Sequence, residues 1–101
     1  MSIEFSLIVP TYNRAPALEL TLEHLTRVQY PANRWEIVVI DDGSTDSTRE
    51  LLGSFESRLP LRWKTQTNAG AGAARNHAIR EAEGLFALFV DDDVLVPPEL
   101  L

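Results

Sequence analysis

Two apolar runs in this chain each end in consecutive aspartates, and this pairing constrains the fold more than any other feature. Residues 37–40 are followed by Asp41 and Asp42, and residues 85–90 are followed by three aspartates at 91–93. The first run, with Trp35 before it, is almost uninterrupted, which is typical of a strand in a sheet covered on both faces. Ligands of open α/β sheets bind beyond the carboxyl ends of the strands. Both acidic clusters are therefore predicted to lie where such a sheet binds a ligand.

Strand-like and helix-like segments alternate along the whole chain. Apolar, β-rich runs predict strands at residues 5–9, 35–40, 61–66 and 85–90, the first of them ended by Pro10. Helical spacing predicts helices at about 15–28, from the turn at 43–47 to about Phe55, and at 73–83, with a further first turn at 97–101. The order βαβαβαβ indicates an α/β fold with a parallel sheet and helices on both faces, a three-layer arrangement.

Local signals refine two of these helices. At the start of the second helix, Ser47 with Glu50 fits a capping box, although Ser44 or Asp46 is an alternative cap. The third helix carries a stripe of small residues that permits close packing on a sheet. This stripe consists of Ala74, Ala78 and Ala82.

The charge of the chain is concentrated in the acidic clusters. The net charge is −6, from nine Lys and Arg against fifteen Asp and Glu. Without six aspartates, the acids equal the bases at nine each. Those six are Asp41, Asp42, Asp46, Asp91, Asp92 and Asp93. Acidic charge of this kind argues against binding a nucleic acid backbone but is compatible with binding a phosphate through a bridging metal.

The sequence offers no sign of disulfides or of membrane insertion. It contains no cysteine, which excludes a disulfide framework, a thiolate metal site and a cysteine nucleophile. No apolar run reaches the length of a membrane span, and the first residues lack the pattern of a signal peptide. We therefore expect a cytoplasmic location. For a longer parent protein, the alternative is a position at the inner face of the membrane.

Consecutive carboxylates also predict a metal. Acidic groups held this close raise one another's pKa, and a bound divalent cation relieves that repulsion. Hard cations such as Mg²⁺ prefer oxygen ligands. The expected cofactor is a divalent metal ion, Mg²⁺ or Mn²⁺.

Four segments in order resemble the nucleotide-sugar-binding half of family 2 glycosyltransferases, which have the GT-A fold. The segments are residues 7–14, 37–46, 68–76 and 89–93, and together they extend over almost the whole chain. Each is a weak pattern alone, but four in the right order after the right elements make a strong one. The resemblance implies a sheet of order 3-2-1-4, with the site where the order reverses, between the first and fourth strands.

The resemblance also implies roles for residues after the first and second strands. A base pocket for the nucleotide-sugar would be lined by Pro10, Thr11, Tyr12 and Asn13, with Tyr12 able to stack on the base. Asp42 would hydrogen-bond the base or the ribose, while Asp41 supports the turn.

Further roles are implied for the later segments. Gly70 and Gly72 would let the backbone pass close to the donor. Arg75 would neutralise phosphate or hold the carboxylates in place. The run at 91–93 matches the family's Asp-x-Asp motif. There Asp91 and Asp92 would approach the donor, Asp93 is favoured as the metal ligand, and Asp91 is the second candidate ligand.

The implied reaction is inverting transfer of a sugar from a nucleoside diphosphate to an acceptor hydroxyl. A metal acting as Lewis acid stabilises the departing diphosphate, and a carboxylate base deprotonates the acceptor. In the family this base lies in the C-terminal half, so it is expected beyond Leu101. Residues 1–101 are accordingly interpreted as a single donor-binding domain without the acceptor part, and a UDP-sugar is the favoured donor.

Other readings of the sequence stay open. A non-catalytic binding or interaction module, with self-association or a partner chain, is the main alternative. A receiver-like signalling domain is poorly matched, since the only lysine, Lys64, lies within or near a strand. The glycines at 70 and 72 match a dinucleotide fingerprint poorly, because the third glycine is missing. His77, near the site, is assigned a structural rather than a catalytic role.

Overall fold

A single parallel sheet of four strands organises the chain, and the computed structural model describes residues 2–101. The strand order is β3-β2-β1-β4, and every strand pair is parallel, as predicted. The elements are β1 (Phe5–Thr11), α1 (Ala15–Leu25), β2 (Trp35–Asp41), α2 (Thr48–Phe55), β3 (Leu61–Thr65), α3 (Ala71–Glu81) and β4 (Phe86–Phe89).

Helices cover both faces of the sheet, which confirms the three-layer α/β prediction. On one face, leucines of α1 and α2 pack with alternate residues of β1 and β2, whereas α3 packs on the other face through Ala74 and Ala78. These two alanines are completely buried against Ile8, Val38 and Ile40, so the small-residue stripe does permit close packing. The chain reverses direction across the sheet between β3 and β4, and right-handed crossovers then require α3 on the face opposite α1 and α2.

The prediction that Pro10 ends the first strand was wrong, because β1 continues to Thr11. Pro10 pairs with Ile40 of β2, while its ring nitrogen faces the β4 side. There the ladder is already ending, with Val90 N donating to Ile8 O at 3.0 Å as its last backbone bond. Although Pro10 has no N–H, β1 loses no hydrogen bond to β2. The next hydrogen bond between β1 and β4 would need that N–H as donor, so β4 ends early.

Two helix boundaries also differ from the sequence prediction. Helix α1 ends at Leu25 rather than near 28, because the Thr26 hydroxyl bonds Glu23 O and the next backbone bonds are tighter, three-residue turns. Helix α3 begins at Ala71 and ends at Glu81, two residues earlier at each end than predicted. Ala82 is already extended, which lets the following residues reach β1 and β2.

The remaining local predictions were partly wrong. Residues 97–101 form an isolated turn, with Leu100 N donating to Pro97 O at 3.2 Å, rather than the start of a helix. Ser47 occupies the N-cap position of α2, but its side chain makes no capping hydrogen bond. Asp46 caps α2 instead, because its Oδ1 accepts from Thr48 N at 3.0 Å.

A buried carboxylate joins three elements at the amino-terminal edge of the sheet. Glu36, which is 5% exposed, accepts hydrogen bonds from the Ser6 hydroxyl at 2.6 Å, from Glu83 N at 2.7 Å and from the Arg62 guanidinium at 2.7 Å. Burial alone would raise the pKa of Glu36, but these hydrogen bonds and the Arg62 charge hold it below its usual range. This network stabilises the edge of the sheet opposite to the carboxyl ends of the strands.

Candidate functional site

A cleft of about 510 Å³ lies at the carboxyl ends of the strands, at the point where the strand order reverses. Its volume is within the range of small-molecule sites. Residues from the ends of β1, β2 and β4 and from the β3–α3 loop bring most of the predicted site residues together here. The lining residues are Pro10, Thr11, Tyr12, Arg14, Asp42, Asn68, Gly70, Ala71, Ala74, Arg75, Asp91, Asp92 and Asp93.

Three residues singled out from the sequence do not line this cleft, and two of them hold its loops in place. Asn13 has a left-handed backbone (φ 51°), and its side-chain oxygen accepts from Thr45 N at 2.7 Å, which ties the β1–α1 loop to the β2–α2 loop. Asp41 is completely buried and supports the turn after β2 by accepting from Ser44 N at 2.9 Å. Gly72, the third, lies in the first turn of α3.

Asp42 holds the loop that precedes α3. Its Oδ1 accepts from the Gln66 side chain and from Ala69 N, both at 2.8 Å, and its Oδ2 accepts from Gly70 N at 2.9 Å and from Asn68 Nδ2 at 3.4 Å. Burial would raise the pKa of Asp42, but the bonds from Gln66, Ala69 and Gly70 outweigh burial and keep this pKa low. The carboxylate is therefore ionised and has no free acceptor position in this state.

His77 supports this loop from behind. Its Nδ1 lies 3.0 Å from Gln66 Oε1, and the amide nitrogen of Gln66 donates to Asp42. The chain of contacts from α3 through β3 to β2 gives His77 a structural place beside the cleft, as predicted, and leaves it outside the lining residues.

The start of α3 supplies the positive side of the cleft. Gly70 has φ 99° and ψ 162°, a conformation open essentially to glycine alone, and it turns the chain so that α3 begins at the cleft. The first N–H groups of a helix favour anions. Arg75 lines the cleft from the same helix and makes no hydrogen bond or ion pair with any residue in the described range 2–101. Of its two predicted roles, holding carboxylates is thus not seen, and neutralising phosphate stays a prediction.

The acidic triplet divides into one buried and two accessible side chains. Asp92 is 6% exposed and accepts from the Thr11 hydroxyl at 2.9 Å. Burial raises the pKa of Asp92, against the opposing effects of Thr11 and Arg14. Asp91 and Asp93 are exposed on the cleft, and within residues 2–101 the Asp91 carboxylate has no hydrogen-bond partner.

Arg14 lies in the first of the four segments that resemble the family, residues 7–14, and the sequence predicts no role for it. Its NH2 lies 2.9 Å from Asp93 Oδ2, and its NH1 lies 3.5 Å from Asp92 Oδ1. These carboxylates are almost eighty positions away in the sequence, so no local spacing could have paired them with Arg14. The pairing follows only from the adjacency of β1 and β4.

The accessible carboxylates fit a metal that is shared with a ligand rather than enclosed by protein. No cluster of three or more His, Cys, Asp or Glu able to hold a metal occurs in the described part of the chain. Mg²⁺ is commonly held by one or two carboxylates together with waters and substrate phosphates. Two solvent-facing carboxylates in the same cleft as Arg75 match that requirement. Among residues 2–101, no helix is both long and apolar enough to cross a bilayer.

Comparison with known proteins agrees with this geometry. Residues 6–101 match the sequence profile of glycosyl transferase family 2. Poly(ribitol-phosphate) beta-N-acetylglucosaminyltransferase TarS of Staphylococcus aureus strain Mu50 is 40% identical over 101 residues, which cover 98% of this chain and 18% of TarS. The chain thus spans less than a fifth of that relative.

Solved structures of family members share the fold. The crystal structure of S. aureus TarS 1-349 in complex with UDP-GlcNAc has a TM-score of 0.92 and 39% identity, covering 95% of this chain and 28% of the other. The mannosyltransferase PcManGT from Pyrobaculum calidifontis, in complex with GDP-Man and Mn²⁺, has a TM-score of 0.87 and 34% identity. The match covers 96% of this chain and 29% of the PcManGT chain. The fold is therefore that of GT-A glycosyltransferases, and the chain belongs to glycosyl transferase family 2.

Proposed function

We propose that residues 1–101 form the donor-binding domain of a glycosyltransferase and bind a nucleoside-diphosphate sugar together with a divalent metal ion. One observation carries this proposal. The unpartnered guanidinium of Arg75 and the accessible carboxylates of Asp91 and Asp93 line the same cleft. This combination suits the reaction, because the departing nucleoside diphosphate carries more negative charge than one divalent cation neutralises.

The relatives support the class of ligand. TarS was crystallised with UDP-GlcNAc, and PcManGT with GDP-Man and Mn²⁺. The chain is more similar to the UDP-GlcNAc-bound protein, at 39% identity against 34% for the GDP-Man-bound one. We therefore favour a UDP-sugar as donor and Mn²⁺ or Mg²⁺ as metal.

Within the cleft, each side chain has a distinct part in donor binding. The base would lie against Pro10 and Tyr12, and Tyr12, which is 45% exposed, could stack on it. Asp42 holds the loop at Gly70 through its hydrogen bonds. It would accept a hydrogen bond from the base or the ribose once one of its present donors moves away. Arg75 and the first turn of α3 would neutralise the diphosphate.

Asp93, with Asp91 as second ligand, would hold the metal, which as a Lewis acid stabilises the charge of the departing diphosphate. The hydrogen bond from Thr11 fixes the buried Asp92 in the middle of the acidic triplet. Asp91 and Asp93 are thereby positioned on either side of it. Inverting transfer also needs a carboxylate base on the opposite face of the sugar. We assign that base and the acceptor site to a part of the enzyme beyond residue 101. We also propose that the enzyme is cytoplasmic, because a sequence without cysteine suits a reducing compartment.

Calorimetric titration of UDP and GDP tests this proposal. Binding is measured with Mn²⁺ and then with EDTA, for the unchanged chain, for Asp93→Asn and for Glu19→Gln, which removes an exposed carboxylate on α1. We expect metal-dependent binding that Asp93→Asn abolishes and Glu19→Gln preserves. Equal binding in Mn²⁺ and in EDTA, or binding unaffected by Asp93→Asn, would refute the metal-bridged donor site.

A second candidate, a module that self-associates, is favoured by the surface of β4. This edge strand is uncovered on both faces, with Phe86 and Phe89 each 58% exposed and Leu85 73% exposed. Exposed apolar edges of this kind favour pairing with another chain. Analytical ultracentrifugation tests it, since a monomer over a wide concentration range would argue against self-association.

A further inference from the structure

Arg14 is the cation that lies against the acidic triplet. We propose that Arg14 is a positioning residue that pairs with Asp93 where the divalent ion would bind, competes with that ion for Asp93, and moves toward the diphosphate when donor and metal bind. This inference rests on the proposed function, because it assumes that Asp93 holds a metal. It assigns to Arg14 a role that the geometry alone suggests.

The contacts of Arg14 connect a buried and an accessible carboxylate. One guanidinium nitrogen is 2.9 Å from Asp93 Oδ2, and another is 3.5 Å from Asp92 Oδ1. The Asp92 side chain is 8% exposed and keeps its hydrogen bond from Thr11, whereas that of Asp93 is 47% exposed. Asp93 is therefore the partner that can be exchanged, while Asp92 remains bonded to Thr11 after Arg14 moves.

The backbone of Arg14 is fixed, although its side chain is not. The preceding residue, Asn13, is bound to the β2–α2 loop through Thr45, and Arg14 O accepts from Leu18 N at 2.9 Å in the first turn of α1. The side chain itself is 51% exposed. A fixed origin with a long, half-exposed side chain lets the guanidinium move within the cleft without any change in the fold.

Electrostatics makes the two cations mutually exclusive at Asp93. A divalent ion bound to this carboxylate would lie only a few ångströms from the guanidinium, and like charges at that separation repel. An exposed ion pair contributes little free energy, so its loss opposes metal binding only modestly. The donor diphosphate offers the displaced guanidinium a new partner in the same cleft. Metal alone should therefore bind weakly, and metal with nucleotide should bind much better.

Binding of Mn²⁺ alone tests the competition directly. Free Mn²⁺ is measured by electron paramagnetic resonance with the unchanged chain and with Arg14→Gln and Arg14→Met. Arg58→Gln is the matched control, because Arg58 is 47% exposed and pairs with the exposed Glu23 outside the cleft. We expect both Arg14 variants to bind Mn²⁺ about three- to tenfold more tightly, as removal of one charge beside a divalent ion in an exposed cleft implies, and Arg58→Gln to change affinity by less than about twofold. Unchanged or weaker Mn²⁺ binding in a folded Arg14 variant would overturn the inference.

The conservative variant and a second ligand separate competition from a merely structural role. Arg14→Lys keeps the charge, so its Mn²⁺ affinity should return toward that of the unchanged chain. UDP should tighten Mn²⁺ binding by a larger factor in the unchanged chain than in Arg14→Gln, because only the former releases a guanidinium to the diphosphate. Failure of the proposed function would look different, since the unchanged chain would then lower the free Mn²⁺ no further than UDP alone does. Thermal melting in EDTA establishes that each variant is folded.

Discussion

The Asp42 carboxylate accepts a hydrogen bond from the backbone N–H of Gly70 at 2.9 Å, and this contact joins the end of β2 to the start of α3. Gly70 has a positive φ of 99°, so the chain turns into the helix at the residue that Asp42 holds. The same carboxylate also accepts from Ala69 N at 2.8 Å. The position of the positive side of the cleft therefore depends on an anion whose own position is fixed by a buried strand.

Replacing Asp42 should reduce stability as well as donor binding. In Asp42→Asn, the amide NH₂ would face the N–H of Gly70 or that of Ala69, and at least one donor would lose its acceptor. The hydrogen bonds from Ala69 N and Gly70 N are part-buried, and a typical hydrogen bond contributes about 0.5–1.5 kcal/mol, so we expect a loss of about that size in the free energy of unfolding. Urea denaturation measures it. Asp91→Asn is the control, and since it lies on the exposed side of the cleft its change should stay within about 0.5 kcal/mol.

The folded state should lose stability on acidification. The pKa of Asp42 is low because its hydrogen bonds outweigh burial, that of Glu36 for the same reason, and that of Asp46 because the Thr48 hydroxyl bonds it. A carboxyl whose folded pKa is depressed contributes stability that is fully present above its unfolded pKa and is lost as pH falls through the folded pKa.

Chemical denaturation at intervals between about pH 3 and pH 7 should therefore show a decline below the unfolded values of about 4 from these three carboxyls. Asp92, whose pKa burial raises, contributes with the opposite sign, since its burial is less costly once it is protonated. Asp46→Asn should show a smaller decline on the acid side than the unchanged chain. Stability that increases on acidification through this window would contradict the assignment.

Two glycines at the start of α3 should respond oppositely to alanine. Gly70 occupies a conformation that alanine adopts only with strain, which predicts a loss of about 1–3 kcal/mol for Gly70→Ala. Gly72 lies in the helix, and a Cβ there would meet no atom within 4 Å, so Gly72→Ala should stabilise the chain by about 0.4–1 kcal/mol. Thermal melts compare the two.

Gly72→Ala also tests the predicted approach of the backbone to the donor. If the diphosphate passes close to this turn, UDP affinity in Mn²⁺ should fall although the chain is more stable. Unchanged affinity would limit the close approach to Gly70.

The fold was largely predictable from the sequence because its signals are local. The uninterrupted apolar run of β2 and the alanine stripe of α3 each report burial that the structure shows. Two of the boundaries that were wrong depend on partners distant in the chain. Whether Pro10 ends a strand depends on which neighbour its nitrogen faces, and the end of α3 depends on where Glu83 N meets Glu36.

The site was predictable in composition but not in its internal contacts. Aspartates at strand ends converge because parallel strands end at one edge, which is a consequence of topology alone. Two contacts can be seen only in the three-dimensional arrangement of the loops. They are the ion pair of Arg14 with Asp93 and the four hydrogen bonds that the Asp42 carboxylate accepts. The side-chain oxygen of Asn13 accepts from Thr45 N in the β2–α2 loop, which the sequence did not predict, and the contact of Asn13 with the donor stays a prediction.

Removing the charge of Arg75 should weaken donor binding without weakening the fold. This side chain lines the cleft and has no protein partner in the range 2–101, so Arg75→Gln breaks no contact and should change the free energy of unfolding by less than about 0.5 kcal/mol. Loss of a charge-assisted hydrogen bond to phosphate should weaken UDP binding in Mn²⁺ by about 1.5–3 kcal/mol. Arg80→Gln, at the far end of α3, is the matched control and should leave UDP affinity unchanged. Equal effects of the two variants would show that Arg75 acts only through the net charge of the helix.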